Sequence, residues 1–257
     1  MRKSSILILA LLGLHALHVK KTSCPEISLS ETDADTMLFI ADNDELYEQL
    51  KTKLIFRGYD VHCIRTDDYA RSDYYSPLLN VRTIEDVERI ALRISSEEER
   101  YLMTAFLEFA ACDVGTFAEA RELAEMTAEG EFELVEERFG HDGYMLNDAH
   151  ERFLKEVYKE DDFDEVQEIA LRCSRKIASA MSGLIELSGD RDDTDILHAG
   201  ERRQAYFIIS DEPAGKIAAE QIVSRTDCAA SIDTDDDEYA GIIKDAREIY
   251  TRSGGKL

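Results

Sequence analysis

Three consecutive helix start signals in residues 82–137 constrain the fold of this chain more than any other feature. A capping box places Ser or Thr three residues before an acidic side chain, at the start of an apolar-periodic segment. The spacing occurs at Thr83 and Asp86, at Ser96 and Glu99, and at Thr116 and Glu119. Apolar residues recur at helical intervals after each start. The sequence therefore predicts three short amphipathic helices in a row.

The outer faces of these predicted helices carry a dense set of carboxylates. They are Glu85, Asp86, Glu88, Glu97, Glu98, Glu108, Glu119, Glu122, Glu125 and Glu129. Residues 31–170 hold 37 Asp and Glu against 14 Lys and Arg, a net charge of -23 within the total of -25. Because 44% of the chain is hydrophobic, wholesale disorder is excluded and the charge is expected on folded surface. Such a field repels nucleic acid and anionic lipid, and it attracts basic protein surfaces.

The first 23 residues combine a basic start with the apolar run SSILILALLGLHALHV. This length fits the core of a signal peptide and is short for a membrane span. His15 and His18 interrupt the run, and no small-x-small cleavage site follows. Two interpretations stay open: an export signal or anchor, and an extension upstream of a cytosolic protein that starts at Met37. Five widely spaced cysteines without a C-x-x-C motif favour a reducing compartment, and hence the cytoplasm.

The predicted fold class is α+β and mostly helical. Residues 37–66 are predicted to form a strand, a helix and a second strand. Two apolar runs predict the strands, and leucines at every fourth position between them predict the helix. Later in the chain the patterns predict a helix over 163–187, a strand over 205–209, and helices over 213–223 and 239–250. The predicted domains are a signal-like or extension segment (1–30), a small α/β unit (31–81), an acidic helical domain (82–165) and a less acidic C-terminal helical and α/β segment (166–257).

The first strand–helix–strand unit resembles the start of a response-regulator receiver. Asp42 and Asp44 follow the first strand directly, as the acidic residues of a receiver do. A receiver also needs a second strand that ends in Asp and a later Lys, and residues 55–154 contain no Lys. This interpretation is therefore a degenerate receiver-like regulatory module.

Sequence motifs of enzymes and metal sites are missing or incomplete. The chain has no G-x-G-x-x-G, G-x-S-x-G or H-E-x-x-H, and Ser210 stands where a P-loop ending at Lys216 would need its first glycine. Residues 190–201 place oxygen ligands as in an EF-hand, but Asp195 replaces the glycine and would have to adopt a strained turn. We therefore expect a solvated acidic loop there, no catalytic residues, no metal and no cofactor.

A longer run in the middle of the chain resembles the ArdA antirestriction proteins. It reads YDVHCIRTDDYARSDYYSPLLNVRTIEDVERIALRISSEEERYLMTAFLEF, within a similar region of about residues 38–137. The resemblance lies in the acidic-tyrosine pair Asp68–Tyr69, followed by the predicted helix at 83–94 and the acidic helix at 97–109. It implies an elongated, acidic and often dimeric protein that mimics bent B-DNA. Such a protein occupies the DNA groove of type I restriction-modification enzymes.

The resulting prediction is an antirestriction DNA mimic from a mobile genetic element, in which the carboxylates named above replace phosphates. Its expected partner is the DNA-binding groove of a type I restriction-modification enzyme, with homodimerisation and without direct nucleic acid binding. Membrane contact is expected only if residues 1–23 are a genuine signal or anchor. Two alternatives remain: an exported acidic helical protein with a structural or cation-binding role, and the degenerate receiver.

Overall fold

A parallel β-sheet forms the centre of the molecule. The computed structural model describes residues 18–19, 34–66, 68–112, 115–141, 147–157, 163–180, 192–210, 213–234 and 236–252. The strands are β1 (His18–Val19), β2 (Thr36–Ala41), β3 (Asp60–Arg65), β4 (Gln204–Ile209) and β5 (Cys228–Asp233). They lie in the order β1-β5-β2-β4-β3, and each neighbouring pair is parallel.

Helices make up most of the described chain, and the mostly helical α+β class is confirmed. They are α1 (Glu45–Phe56), α2 (Ile84–Ile94), α3 (Arg100–Cys112), α4 (Phe117–Ala128), α5 (Phe132–His141), α6 (Asn147–Val157), α7 (Phe163–Ala180), α8 (Pro213–Arg225) and α9 (Glu238–Arg252). The strand–helix–strand unit that the sequence predicts near the start is the segment from β2 through α1 to β3.

Helix α1 covers one face of the sheet. Its leucines at every fourth position, Leu46, Leu50 and Leu54, are buried against alternate residues of the strands. Phe39 of β2 and Phe207 of β4 stack on this face, with ring centroids 4.6 Å apart. The fourfold leucine spacing in the sequence is therefore the sheet-facing stripe of one helix.

The opposite face carries α8, α9 and the helical region α2–α7. Leu38 of β2 and Ile208 of β4 point to this face and belong to the larger hydrophobic core, which continues into the helical region. Inside that region the rings of Phe109, Phe139 and Phe153 pack together, with centroids 5.0 and 5.2 Å from Phe139. One continuous core thus joins the helices to the sheet.

The three helix start signals are confirmed by their hydrogen bonds. The backbone N–H of Thr83 donates to the Asp86 carboxylate over 3.1 Å, and that of Ser96 donates to the Glu99 carboxylate over 2.8 Å. At the third start, the N–H of Glu119 donates to the Thr116 hydroxyl over 3.4 Å. These side chains satisfy backbone donors that have no partner within the helix.

Buried polar contacts fix the helical region to α8. Tyr75, in the segment before α2, donates its hydroxyl to the Gln221 side chain over 2.7 Å. Arg225, at the end of α8, donates to the carbonyl of Asn80 and lies 3.5 Å from the Asp86 carboxylate. Because these side chains are buried, their mutual bonds offset the cost of removing them from water.

The sheet draws together parts of the chain that the sequence separates into domains. Strands β2 and β3 come from the predicted unit 31–81, whereas β4 and β5 come from the segment 166–257. Strand β5 is not among the predicted elements, because its core positions alternate with small and polar residues.

The receiver alternative is wrong, because a receiver places its first strand between its second and third. Here β2 lies between β4 and β5.

The nature of the first 23 residues stays a prediction. Residues 1–17 and 20–33 lie outside the described residues. Within the ranges that the structure describes, no helix is both long enough and apolar enough to span a membrane.

Candidate functional site

The carboxyl edge of the sheet is the usual place for a ligand in an open parallel α/β fold. Neighbouring strands β2 and β4 continue into α1 and α8, which cover opposite faces, and this arrangement opens a crevice between the two strands. The side chains at this edge come from the turns after the four long strands and from the first turn of α8. They include Asp42, Asp44, Thr66, Ser210, Lys216 and Thr234.

Polar groups at the carboxyl edge bond to one another. The hydroxyl of Thr66, after β3, donates to Ser210 Oγ, after β4, over 2.9 Å. Tyr239 of α9 donates its hydroxyl to the carbonyl of Ser210. Thr234, after β5, donates to the carboxylate of Asp42, after β2. The bond between Thr66 and Ser210 joins the turns after β3 and β4, and the bond between Thr234 and Asp42 joins the turns after β5 and β2, so these contacts lie on either side of the crevice.

Cations near this edge are held by carboxylates of the same chain. Lys216 Nζ lies 2.9 Å from Asp236 and 2.5 Å from Glu238. Burial would lower the pKa of Lys216, but these two ion pairs outweigh it and hold the pKa above its usual value. Arg71 lies 2.8 Å from Asp44 and lowers the pKa of that carboxyl. A phosphate group at this edge would have to compete with these carboxylates for Lys216 and Arg71.

Gly215 stands at the spacing of a phosphate-binding loop, directly before Lys216, but it serves packing. A Cβ atom on Gly215 would lie 2.6 Å from the Tyr239 hydroxyl and 2.9 Å from Cγ2 of Ile208. Helix α8 begins at Pro213, a residue suited to the first helical position. The lack of a side chain at Gly215 thus allows Tyr239 to pack close to the sheet.

The described residues contain no group of three or more His, Cys, Asp and Glu side chains that could hold a metal ion. In the EF-hand-like loop, Asp190 lies outside those residues, and Asp195 adopts the predicted strained conformation with φ 51°. Burial would raise the pKa of Asp195, but bonds from His198 and Arg202 outweigh it and lower that pKa. The Asp195 carboxylate is thus occupied by its own loop.

The carboxylates predicted to form a DNA-mimic surface do not share one environment. Glu85, Glu97, Glu98, Glu122 and Glu129 are exposed, Glu88 and Glu125 are half-buried, and Asp86, Glu108 and Glu119 are buried. Several form ion pairs with arginines: Asp86 with Arg89, Glu88 and Glu108 with Arg152, Glu98 with Arg172, Glu122 with Arg138, and Glu125 with Arg121. Many of them therefore join helices to one another.

Carboxylates on and next to α4 and α5, three of them from the predicted set, gather in what we call the α4–α5 acidic surface. It consists of Glu122, Glu125, Glu129, Glu131, Glu133, Glu136 and Glu137, each exposed or half-buried. Its apolar member is Leu134 of α5, which is 50% exposed. Leu134 lies one turn before Arg138 on the same side of the helix. Arg138 reaches across to α4, where it lies 3.1 Å from Glu122 and 3.7 Å from the sulfur of Met126.

The sequence identifies only part of this surface. The acidity of residues 131–137 is visible in the sequence, but Leu134 fits a helical apolar pattern as well as the buried Val135 does. An exposed leucine can be recognised only after the neighbours of the helix are known.

The fold and its polar edge define an open, doubly wound parallel α/β protein with a helical region inserted between β3 and β4. No family model and no curated protein matches the chain. A similar solved structure is the plasmid coupling protein TrwB in complex with ADP and Mg²⁺, at 12% identity and a TM-score of 0.44, over 84% of this chain and 68% of that one. These values are too low to transfer the ligands of that protein to this chain.

The prediction of an ArdA-like antirestriction DNA mimic is wrong. Phosphate mimicry requires rows of solvent-facing charge. Asp86 instead accepts backbone N–H bonds at a helix start, and Glu108 is buried beside Arg152. The supposed ArdA-like region, residues 38–137, is also not a separate unit, because β2 pairs with β4 and β5.

Proposed function

We propose that this protein binds a basic, amphipathic segment of another protein at the α4–α5 acidic surface, and that it acts by binding rather than by catalysis. The observation that carries the proposal is Leu134, half exposed in the middle of Glu131, Glu133 and Glu137. An apolar centre with a charged rim is the arrangement of protein interfaces. The half-buried Met126, whose sulfur lies 3.7 Å from Arg138, adds an adaptable apolar side chain to the surface.

Charge specifies the chemistry of the partner. Residues 117–141 contain eight glutamates and two arginines, a net charge of -6. Both arginines are already engaged, Arg121 with Glu125 at 2.8 Å and Arg138 with Glu122 at 3.1 Å. A basic partner would be attracted by the remaining field, which chiefly raises the association rate.

Apolar contact supplies the affinity that exposed charge pairs do not. Each exposed ion pair contributes only about 0.2–1 kcal/mol. Burying a fully exposed leucine contributes roughly 1.5–3 kcal/mol, so burying the exposed half of Leu134 contributes about half of that. Leu134 therefore accounts for at least as much binding free energy as one lysine–glutamate pair, and the partner needs an apolar side chain among its basic ones.

The carboxyl edge of the sheet supports the preference for binding over catalysis. Its hydroxyl groups and cations bond to other groups of the same edge, as with Thr66 to Ser210 and Lys216 to Asp236. A substrate would have to break these contacts before it could bind.

The test is the binding of a labelled model helix rich in lysine and leucine, followed by fluorescence anisotropy at two salt concentrations. The triple change Glu131→Lys, Glu133→Lys and Glu137→Lys should weaken binding about tenfold or more, at about 1.4 kcal/mol per tenfold. A matched control reverses Asp237, Asp245 and Glu248 to Lys on and just before α9, with the same change in net charge. Leu134→Ser should weaken binding without changing its salt dependence.

Equal losses in the two triple variants would mean that net charge alone attracts the peptide, and would refute a specific surface. Unchanged binding by Leu134→Ser would remove the apolar centre from the proposal.

A further inference from the structure

Three polar side chains are buried together on the α8 face of the sheet. Gln204 and Tyr206 of β4 are 0% exposed, and His62 of β3 is 6% exposed. No described residue provides a hydrogen-bond partner for Gln204 Oε1, Gln204 Nε2, the Tyr206 hydroxyl or His62 Nε2.

The strand register places these groups side by side. Gln204 and Tyr206 are two residues apart on β4, so their side chains leave the same face of the sheet. Tyr206 pairs with His62 in the register, and their rings stack with centroids 5.2 Å apart. Burial raises the pKa of Tyr206, and the nearby Asp195 raises it further, so the phenol stays protonated and can both donate and accept.

The segment before β4 comes close to Tyr206, because Asp192 and Asp195 raise the pKa of its hydroxyl, and the backbone of this segment is strained at Asp195. Asp195 has φ 51°, a left-handed conformation that residues other than glycine rarely adopt. Strained backbone and buried polar atoms without partners both concentrate at binding sites. Left without partners, four such atoms would cost a large part of the stability of a domain.

We propose that Gln204, Tyr206 and His62 form an internal site for an uncharged molecule that both donates and accepts hydrogen bonds. The Gln204 amide offers one acceptor and two donors, so the occupant must do both. The nearest charged groups already have partners: Asp195 bonds to Arg202, and Asp60 and Asp73 lie 3.8 and 3.6 Å from the two ring nitrogens of His62. An ionic occupant would have to displace one of these partners, so the site takes a neutral molecule. Ordered water and a small organic ligand share this chemistry.

Thermal unfolding of Tyr206→Phe and Gln204→Leu tests the proposal through the sign of the effect. If the site is occupied, each variant loses real hydrogen bonds and its Tm should fall by about 2–4 °C or more. If the site is empty, removal of a polar atom without a partner should leave Tm unchanged or raise it. Tyr75→Phe is the matched control, because the buried Tyr75 hydroxyl has a known partner in Gln221 at 2.7 Å. Its loss of Tm sets the scale for one occupied phenol site.

A crystal structure of the unsubstituted chain provides a readout that does not depend on how the variants fold. Density within hydrogen-bond distance of Gln204 and Tyr206 is expected. Native mass spectrometry then separates the two sources, because an organic ligand adds mass that is lost on denaturation, whereas water does not. Empty density between these side chains, or a Tm that is unchanged or higher in both variants, would overturn the proposal.

Discussion

Glu99 is the carboxylate whose removal should reveal most about the stability of the helical region. It is buried in the turn before α3, with 3% of its side chain exposed. Its carboxylate accepts from the backbone of Ser96 at 2.8 Å, from Arg172 at 3.2 Å and from Lys176 at 2.5 Å. The two cations come from α7, so this side chain joins the start of α3 to a helix more than seventy residues later.

The expected magnitude follows from the pKa of Glu99. Burial alone would raise this pKa, but the bonds from Lys176 and Ser96 outweigh it and hold the pKa at about 2 against an ordinary 4.5. The difference corresponds to about 3 kcal/mol of folding free energy. Because Arg172 and Lys176 are partly exposed, solvent screening reduces this to about 2 kcal/mol. The folded pKa lies below the unfolded one, so this stabilisation is present above pH 4.5 and is lost as the pH falls towards 2.

Urea unfolding of the Glu99→Gln variant, followed by far-ultraviolet circular dichroism at pH 7, 5 and 3, measures the effect. At pH 7 the variant should be less stable by about 2 kcal/mol, or about 4–8 °C in Tm. The gap to the unsubstituted chain should narrow between pH 5 and 3. The exposed neighbour Glu97, changed to Gln, serves as control and should alter stability by less than about 0.5 kcal/mol. A gap of the same size at pH 7 and pH 3 would refute the ion-pair reasoning.

Two further predictions concern packing and thiol reactivity. Gly215→Ala should lower the free energy of unfolding by about 1–3 kcal/mol in urea, because the new Cβ atom would lie 2.6 Å from the Tyr239 hydroxyl. The control is Gly241→Ala, which adds a Cβ atom in open space on α9 and should be neutral or slightly stabilising. Among the described cysteines, Cys112 should be alkylated first by iodoacetamide at pH 8, because it is exposed, whereas burial raises the pKa of Cys63, Cys173 and Cys228 to about 12. Peptide mapping of the native protein measures the order, and modification of Cys173 at the same rate as Cys112 would contradict it.

Local sequence signals predict the elements of this fold well because each depends on residues a few positions apart. The start signals at Thr83, Ser96 and Thr116 operate within one helical turn, and each shows at least one of its two hydrogen bonds, with both present at Thr83. Pro213 likewise marks the first residue of α8. Strand β5 escapes prediction because its inward positions, such as Cys228 and Ala230, alternate with small and polar residues and give no continuous apolar run.

The arrangement of these elements depends on contacts that no local pattern contains. Strand β2 joins β4 and β5 through hydrogen bonds between residues more than 150 positions apart. Arg225 and Asp86 form an ion pair although they are also far apart in sequence, and no local pattern around either residue predicts this pair. For the same reason the burial of Asp86 and Glu108 cannot be derived from helical periodicity, which places both on an outer face.

The positions of the cations explain why the acidic field gathers on α4 and α5. Arg152 of α6 lies 3.2 Å from Glu88 of α2 and 3.5 Å from Glu108 of α3, so a single guanidinium joins three helices. Arg172 of α7 likewise joins Glu98 and Glu99. Glu108 and Glu99 are buried, so their removal from water makes pairing necessary, whereas Glu88 and Glu98 remain partly or largely exposed. In residues 131–141, by contrast, Arg138 is the one lysine or arginine, against the four glutamates Glu131, Glu133, Glu136 and Glu137. The pairing that stabilises the helical region therefore also concentrates its excess charge around Leu134, where we propose that a basic partner binds.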